Sequence, residues 1–172
     1  HVITDLEMVA PEDVKRIAAL GVSASNYFQI MELTPSIDEL YVEEVCGEDY
    51  LDRIWNYRRM VDEGVNVCTG TDMPLDIPCV PTSIYYVAGR RFPDGSPEGG
   101  FMPENGLTIA EVLKAWTING QYANFRENEL GTLEVGKFAD IAVFDRNIFE
   151  TSMDEMRDVE VVMTICDGRI VY

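Results

Sequence analysis

The order of helical and extended segments in the first 70 residues constrains the fold of this chain most strongly. A helix is predicted over 11–20, since it opens on a proline followed by two acids, which suit the first helical turn. A strand is predicted over 21–28, a second helix over 48–64 and a second strand, rich in β-branched residues, over 65–70. Alternation of this kind indicates βα units around a parallel sheet, an α/β fold.

The middle of the chain continues with helices. A short helix is predicted over 82–90, and Thr108 and Glu111 form a capping-box pattern at the start of another. A further helix is predicted over about 119–127. The stretch 91–106 is rich in glycine and proline. It is either a mobile lid, since long loops in compact domains often carry function, or a variable surface connection.

The character of the sequence changes near residue 130. The stretch 131–145 indicates a turn followed by a strand, and 159–172 indicates a hairpin around an Asp-Gly pair. We therefore expect two parts, 1–130 and 131–172. Two or three βα units cannot close a sheet, and a few antiparallel strands leave unpaired edges. The sequence also begins with histidine, so we expect the C-terminal part of a larger protein.

Composition narrows the classes of function. The chain has 31 acids against 13 bases, a net charge of −18, and 47% hydrophobic residues. It can bury a core, while its charge would repel nucleic acids and anionic membranes. No apolar run is long enough for a bilayer span. The scattered cysteines, with disulfides as the less favoured alternative, predict reduced thiols in a cytoplasmic protein; they are Cys46, Cys68, Cys79 and Cys166.

Three stretches together are similar to one family: GTDMP after a strand, LTIAEVLKAWTINGQYANF running into GTLEVGKFADIAVFD, and VVMTICDGRIVY at the end. They resemble the C-terminal part of an amidohydrolase-superfamily enzyme, in the branch that includes the N-substituted formamide deformylases. The resemblance implies a TIM-type (β/α)8 barrel with catalytic metal ligands at the C-terminal ends of its strands, plus a small β-sandwich. Residues 1–5, 21–28 and 65–71 would belong to the last three barrel strands, and 131–172 to the sandwich.

Asp72 in GTDMP matches the strand-eight aspartate of that family. The resemblance makes it a general base and acid and a metal ligand. A carboxylate beside a metal-activated water can take the water's proton and hand it to the leaving nitrogen. Asp72 could instead cap the turn before Pro74, because aspartate and proline are both common in turns.

Asp5 is the second candidate metal ligand. The family typically has a metal-binding histidine six positions before the proline of the next helix, and Asp5 holds that position before Pro11. Aspartate can bind zinc through oxygen, so a ligand role and a plain strand-end acid stay equally open. His1, the only histidine, is the less favoured ligand because a chain end frays easily.

Other positions have structural interpretations that we prefer. Tyr27 and Phe28 stand where many relatives have Gln-Pro; they either shape a substrate pocket or pack in the core or a lid, the second being favoured. The acidic run 37–52 lacks EF-hand spacing and is read as a solvated face. Lys137 and Asp140 match the family's sandwich entry and are expected to serve the local backbone.

These observations predict the C-terminal part of a metal-dependent amidohydrolase that hydrolyses a non-peptide C–N bond of a small amide or cyclic amide. The expected cofactor is a divalent metal, zinc by resemblance, and the expected partners are the rest of the barrel and a second copy of the chain. A non-catalytic relative that has lost its metal site is the alternative. We expect the isolated 172-residue chain to lack hydrolase activity, because the upstream ligands of the family are not in it.

Overall fold

A computed structural model describes residues 1–40, 46–75 and 77–172. Its first sheet has three parallel strands in the order β1 (Val2–Thr4), β2 (Ser23–Tyr27) and β3 (Val67–Gly70). Thr4 lies opposite Ser25 and Tyr27 opposite Gly70, so the carboxyl ends of the three strands meet at one edge. The predicted mixed α/β fold with parallel strands is confirmed.

Five α-helices are described: α1 (Pro11–Ala19), α2 (Tyr57–Asp62), α3 (Val80–Val87), α4 (Ile109–Trp116) and α5 (Ile118–Ala123). Helix α1 buries Val14 and Ile17 and packs against α2, while α4 and α5 pack against β3. The predicted capping box of α4 is confirmed, because Thr108 accepts a hydrogen bond from the Glu111 amide and the Glu111 side chain accepts one from the Thr108 amide.

The predicted helix over 48–64 is wrong in its first half. A 3-10 helix covers Glu48–Asp52, and the α-helix begins only at Tyr57, where Asn56 caps it. Between them Trp55 has a left-handed backbone, with φ of 46°. The intervening residues pair instead with the loop after β1: the Trp55 amide donates to the Glu7 carbonyl at 2.7 Å. This long-range pairing competes with the helix and prevails over it.

Two further helices differ from the prediction at their ends. The helix predicted over 82–90 is Val80–Val87, and the one predicted over 119–127 ends at Ala123. Shorter 3-10 turns cover Ile30–Leu33, Ile37–Glu39, Pro103–Asn105 and Met156–Asp158. Part of the acidic run, 41–45, lies outside the described residues; Asp38, Glu39 and Asp49 in the described part are exposed, in agreement with a solvated face.

The loop 91–106 is anchored in the core by aromatic residues. Phe92 and Phe101 are buried and pack edge-on against Trp55, with ring centroids 6.2 and 6.1 Å away. Arg90, fully buried, donates to the Phe101 carbonyl at 2.9 Å and to the Trp55 carbonyl at 3.1 Å. These contacts favour the connecting role of this loop, although its tip still borders the 3-10 turn at Ile37.

A second, antiparallel sheet forms the end of the chain, with β4 (Ile141–Phe144), β5 (Val161–Cys166) and β6 (Arg169–Ile170). The predicted hairpin turn is confirmed, because Asp167 and Gly168 both have positive φ, 49° and 75°. The 3-10 turn Met156–Asp158 packs this part of the chain against α3. In the described ranges, no helix is both long and apolar enough to cross a membrane.

Candidate active site at the carboxyl ends of the parallel strands

Asp5 and Asp72 both lie at the edge where the parallel strands end. Asp5 directly follows β1, and Asp72 comes two residues after β3. Both have left-handed backbones, with φ of 58° and 52°. Non-glycine residues seldom adopt this region, although aspartate does so more readily than most, and such residues cluster at functional sites. Both side chains are exposed, and the Thr4 hydroxyl donates to the Asp5 carboxylate at 2.8 Å.

Tyr27 lies between these two acids at the edge of the sheet. It is the last residue of β2, between the strands that lead to Asp5 and Asp72. The pKa of its phenol is raised, first by burial and then by the negative charges of Asp5 and Asp72. Three strand ends therefore converge on one polar cluster. Tyr27 belongs to this cluster. Its neighbour Phe28 is instead a core residue, and its ring centroid lies 5.2 Å from that of Tyr57.

Glu7 is a member of the site that the sequence did not reveal. Its carboxylate accepts hydrogen bonds from the Tyr27 amide at 2.6 Å and from the Tyr57 hydroxyl at 2.7 Å. Burial raises the pKa of Glu7 to about 7, these hydrogen bonds oppose the shift, and the charge of Asp5 adds to it. A lone acid in the apolar stretch LEMVA, two residues after Asp5, was the only signal in the sequence.

Gln29 holds the backbone that follows Asp72. It is buried, and its amide nitrogen donates to the Ile77 carbonyl at 3.0 Å. Its amide oxygen accepts from the Cys79 backbone N–H at 2.8 Å. Gln29 thus links the loop after β2 to the loop after β3, and this link fixes where the second loop leaves the sheet.

Other predicted residues lie away from this edge. His1 is exposed at the start of β1, about 10 Å of extended chain from its end. In the C-terminal part, Lys137 donates to the Glu127 carbonyl at 2.6 Å, and Asp140 accepts from the Asp167 amide at 2.8 Å. Both contacts agree with the structural roles expected for Lys137 and Asp140.

The donor groups at this edge are too few for a metal centre by themselves. Within residues 1–40, 46–75 and 77–172, no three His, Cys, Asp or Glu side chains are grouped so that they could hold a metal ion. Asp5 and Asp72 supply carboxylate oxygens, which suit hard divalent ions, but a catalytic zinc commonly has three protein ligands.

A larger cleft lies at the opposite end of the sheet. Its volume is about 520 Å³, and Val22, Val65 and Asn66 line it at the amino ends of β2 and β3. In open and closed α/β sheets, ligands and catalytic groups occur at the carboxyl ends of parallel strands. The polar cluster of Asp5, Tyr27 and Asp72 is therefore the better candidate site despite its smaller cleft.

Comparison with known families identifies the family of the chain. A model described as "Amidohydrolase family" matches residues 1–172. The chain belongs to the amidohydrolase family. The resemblance inferred from GTDMP, GKFAD and the terminal hairpin is thereby confirmed.

Individual relatives agree with the assignment. The chain is 30% identical over 120 residues to an N-substituted formamide deformylase from Arthrobacter pascens, covering 70% of the chain and 22% of that protein. It is 38% identical over 140 residues to an imidazolonepropionase from Streptococcus pyogenes, covering 81% and 27%. The crystal structure of an atrazine chlorohydrolase from Arthrobacter aurescens, complexed with zinc and atraton, aligns with a TM-score of 0.62 at 18% identity over 99% of the chain and 35% of that protein. The chain thus spans about a quarter of the length of these curated relatives.

Proposed function

We propose that the chain forms the last three βα units of a (β/α)8 barrel, over 1–130, and the C-terminal strands of a β-sandwich, over 131–172, in a cytoplasmic metal-dependent amidohydrolase. The enzyme hydrolyses a non-peptide C–N bond of an amide or cyclic amide. The observation that carries the proposal is the position of Asp5 and Asp72, each just after a strand, at the same carboxyl edge of a parallel sheet, where barrel enzymes hold their catalytic groups.

The ion in this proposal is divalent, and zinc is favoured because a structurally similar hydrolase is complexed with it. Asp5 and Asp72 are the two ligands available here, and further ligands come from other strands of the full-length protein. When bound, such an ion lowers the pKa of water and polarises the substrate carbonyl.

In this proposal the proton transfers are carried out by a residue of the chain. Asp72 accepts a proton from water as the water oxygen bonds to the carbonyl carbon. It returns the proton to nitrogen as the C–N bond breaks, which leaves an acid and an amine. The Thr4 hydroxyl donates to the Asp5 carboxylate at 2.8 Å and orients it. Glu7, through the Tyr27 amide, holds the end of β2 in place.

A non-catalytic relative is the second candidate, and the nature of residue 5 favours it. The shorter aspartate replaces the histidine typical of the family, and two described carboxylates fall short of a three-ligand site. In this alternative the protein keeps the fold and has lost the metal.

The two candidates are separated by metal analysis and turnover of amides in the full-length protein. We expect bound divalent metal, and a fall in kcat of at least about 100-fold in Asp72→Asn. Asp167→Asn is the matched control, since Asp167 also has a left-handed backbone but lies in the distant hairpin. Absence of metal from the wild type, together with uptake of metal by Asp5→His, would establish the non-catalytic alternative instead.

A further inference from the structure

The turn that follows Asp5 is fastened to a segment far along the chain. The Trp55 amide donates to the Glu7 carbonyl at 2.7 Å, and Met8 pairs with Ile54 in an isolated antiparallel bridge. Asp5 needs such support, because its left-handed backbone, with φ of 58°, is rare for non-glycine residues and persists only where surrounding contacts hold it. The contacts at residues 7 and 8 therefore fix the path of the chain after β1.

The side chain of Glu7 extends this support to the neighbouring strand. Its Oε1 accepts a hydrogen bond from the Tyr27 amide at 2.6 Å, at the last residue of β2. Its Oε2 accepts one from the Tyr57 hydroxyl at 2.7 Å. Tyr57 is buried and is the first residue of α2. One carboxylate thus joins the end of β2 to α2, while its own backbone belongs to the turn after β1.

The far side of this arrangement is anchored in the core. The Tyr57 ring packs against Phe28, with ring centroids 5.2 Å apart. The buried Arg90 guanidinium donates to the Trp55 carbonyl at 3.1 Å and so holds the segment that pairs with Glu7. All these contacts are made within the chain, so they do not depend on segments that the rest of the full-length protein supplies.

We propose that Glu7 and Tyr57 are positioning residues for the hydrolysis, which hold the end of β1, next to Asp5, and the end of β2 in a fixed relation. This inference rests on the proposed hydrolase function and concerns the same site. Both oxygens of Glu7 already accept hydrogen bonds, so the pair acts from behind a divalent ion held by Asp5 and Asp72 and is not a further ligand. Loss of groups that orient ligands commonly lowers activity about 10–100-fold.

The first test removes one hydroxyl from the full-length protein, with N-butylformamide as the substrate. Tyr57→Phe keeps the ring and loses the hydrogen bond to Glu7, and we expect kcat to fall about 10-fold with a smaller change in KM. Tyr85→Phe is the matched control. It also removes a buried hydroxyl, which donates to the Phe92 carbonyl at 3.2 Å, but this bond joins α3 to the loop 91–106 and not to the strand ends. Its kcat is expected to change little, even where urea unfolding shows that both variants lose similar stability.

Variants of Glu7 separate its position from its charge. Glu7→Ala removes both side-chain hydrogen bonds and is expected to lower kcat about 100-fold. Glu7→Gln is expected to restore most of that loss, because its oxygen accepts from the Tyr27 amide and its nitrogen donates to the Tyr57 hydroxyl. Hydrogen exchange gives a readout that does not depend on turnover: the Tyr27 amide should exchange faster in Glu7→Ala and close to the wild-type rate in Glu7→Gln.

The outcomes distinguish this inference from the function on which it rests. Absence of both metal and amide turnover in the wild type removes the hydrolase function, and a positioning role in that reaction with it. Turnover in the wild type, with equal falls in kcat in Tyr57→Phe and Tyr85→Phe, keeps the function and overturns the positioning role. The role is also overturned if Glu7→Gln is as impaired as Glu7→Ala while its Tyr27 amide exchanges as in the wild type, because the charge of Glu7 would then be what the reaction requires.

Discussion

The two sheets of this chain bury their side chains very differently. In the parallel sheet Ala24, Asn26 and Val67 are almost fully buried between helices and neighbouring loops. In the antiparallel sheet Val143 and Val162 remain largely exposed, as does most of β6. Both regions have well-formed strands, so hydrogen-bonded pairing alone does not account for the difference.

The antiparallel region is attached to the rest of the protein through residues 154–157, which we call the anchor. Met156 is fully buried, and the Arg157 guanidinium lies 4.3 Å from the centroid of the Tyr85 ring on α3. An ion pair between Arg91 and Asp154 adds a third link. The parallel region supplies most of the buried core, and the antiparallel region joins that core through Met156, Ile148 and Val159.

The largest expected loss of stability comes from Arg90 in the first region. Arg90→Ala would leave the Trp55 and Phe101 carbonyls without their donor and open a cavity, at a cost of about 4 kcal/mol in the free energy of unfolding. Urea unfolding of the full-length protein measures it. Arg91→Ala is the adjacent control and is expected to cost at most about 1 kcal/mol, because its ion pair is solvent-exposed. Equal losses of unfolding free energy in Arg90→Ala and Arg91→Ala would contradict the stabilising role given to the buried Arg90.

The anchor of the second region is tested by Met156→Ala, for which we expect a loss of about 2–3 kcal/mol from the cavity left behind. Val162→Ala, on the exposed face of β5, is expected to cost less than about 0.5 kcal/mol. Thermal or urea unfolding compares the pair. A loss at Val162 as large as that at Met156 would mean that other residues of the full-length protein cover this face.

Elements set by local contacts could be predicted from the sequence, whereas those set by long-range contacts could not. Helix α1, the strands at 23–27 and 67–70 and the Asp-Gly hairpin follow from local periodicity and turn chemistry, and all of them are present. The break before Tyr57 does not, because it arises from pairing between residues 53–55 and the loop after β1, far away in sequence. Local propensity favoured a continuous helix, and tertiary contacts overrode it.

The residues of the candidate site could likewise be predicted only in part. Asp72 and Asp5 were predicted as site residues from the resemblance of their stretches to the family. The part of Tyr27 in the site, and the whole contribution of Glu7, depend on which side chains three separate strands bring together. Alternation along a strand cannot tell whether a terminal tyrosine points to the core or to the neighbouring acids. That information lies in the register of the sheet.

An ion pair within the first region gives a pH-dependent prediction. Arg58 donates two hydrogen bonds of 2.9 Å to Glu111, joining α2 to α4, and with the Thr108 cap it lowers the pKa of Glu111 to about 2. Because the folded-state pKa lies below the ordinary value of 4.5, this stabilisation is present above pH 4.5 and is lost as the pH falls towards 2.

Glu111→Gln is therefore expected to lower the free energy of unfolding by about 2 kcal/mol at pH 7, after allowance for partial exposure, and by progressively less below pH 4.5. Urea unfolding at several pH values tests this. Glu63→Gln, whose exposed partner Lys15 is 3.9 Å away, serves as control and should show a small difference that changes little with pH. A constant difference for Glu111→Gln would rule out the ion pair as its cause.

The smallest effect is expected in the second region, at Asp140. Its carboxylate accepts the Asp167 amide at 2.8 Å and thereby ties the approach to β4 to the hairpin turn. Asp140→Ala is expected to cost about 1 kcal/mol, the usual net value of one hydrogen bond, and Asp140→Asn much less, because its amide oxygen can still accept. Hydrogen exchange of the Asp167 and Gly168 amides reports the change locally, even where global unfolding is dominated by the parallel region. If exchange accelerates only at this hairpin, the two regions open separately; if protection falls equally in β2 and β3, they form one cooperative unit and the contrast between them is one of exposure alone.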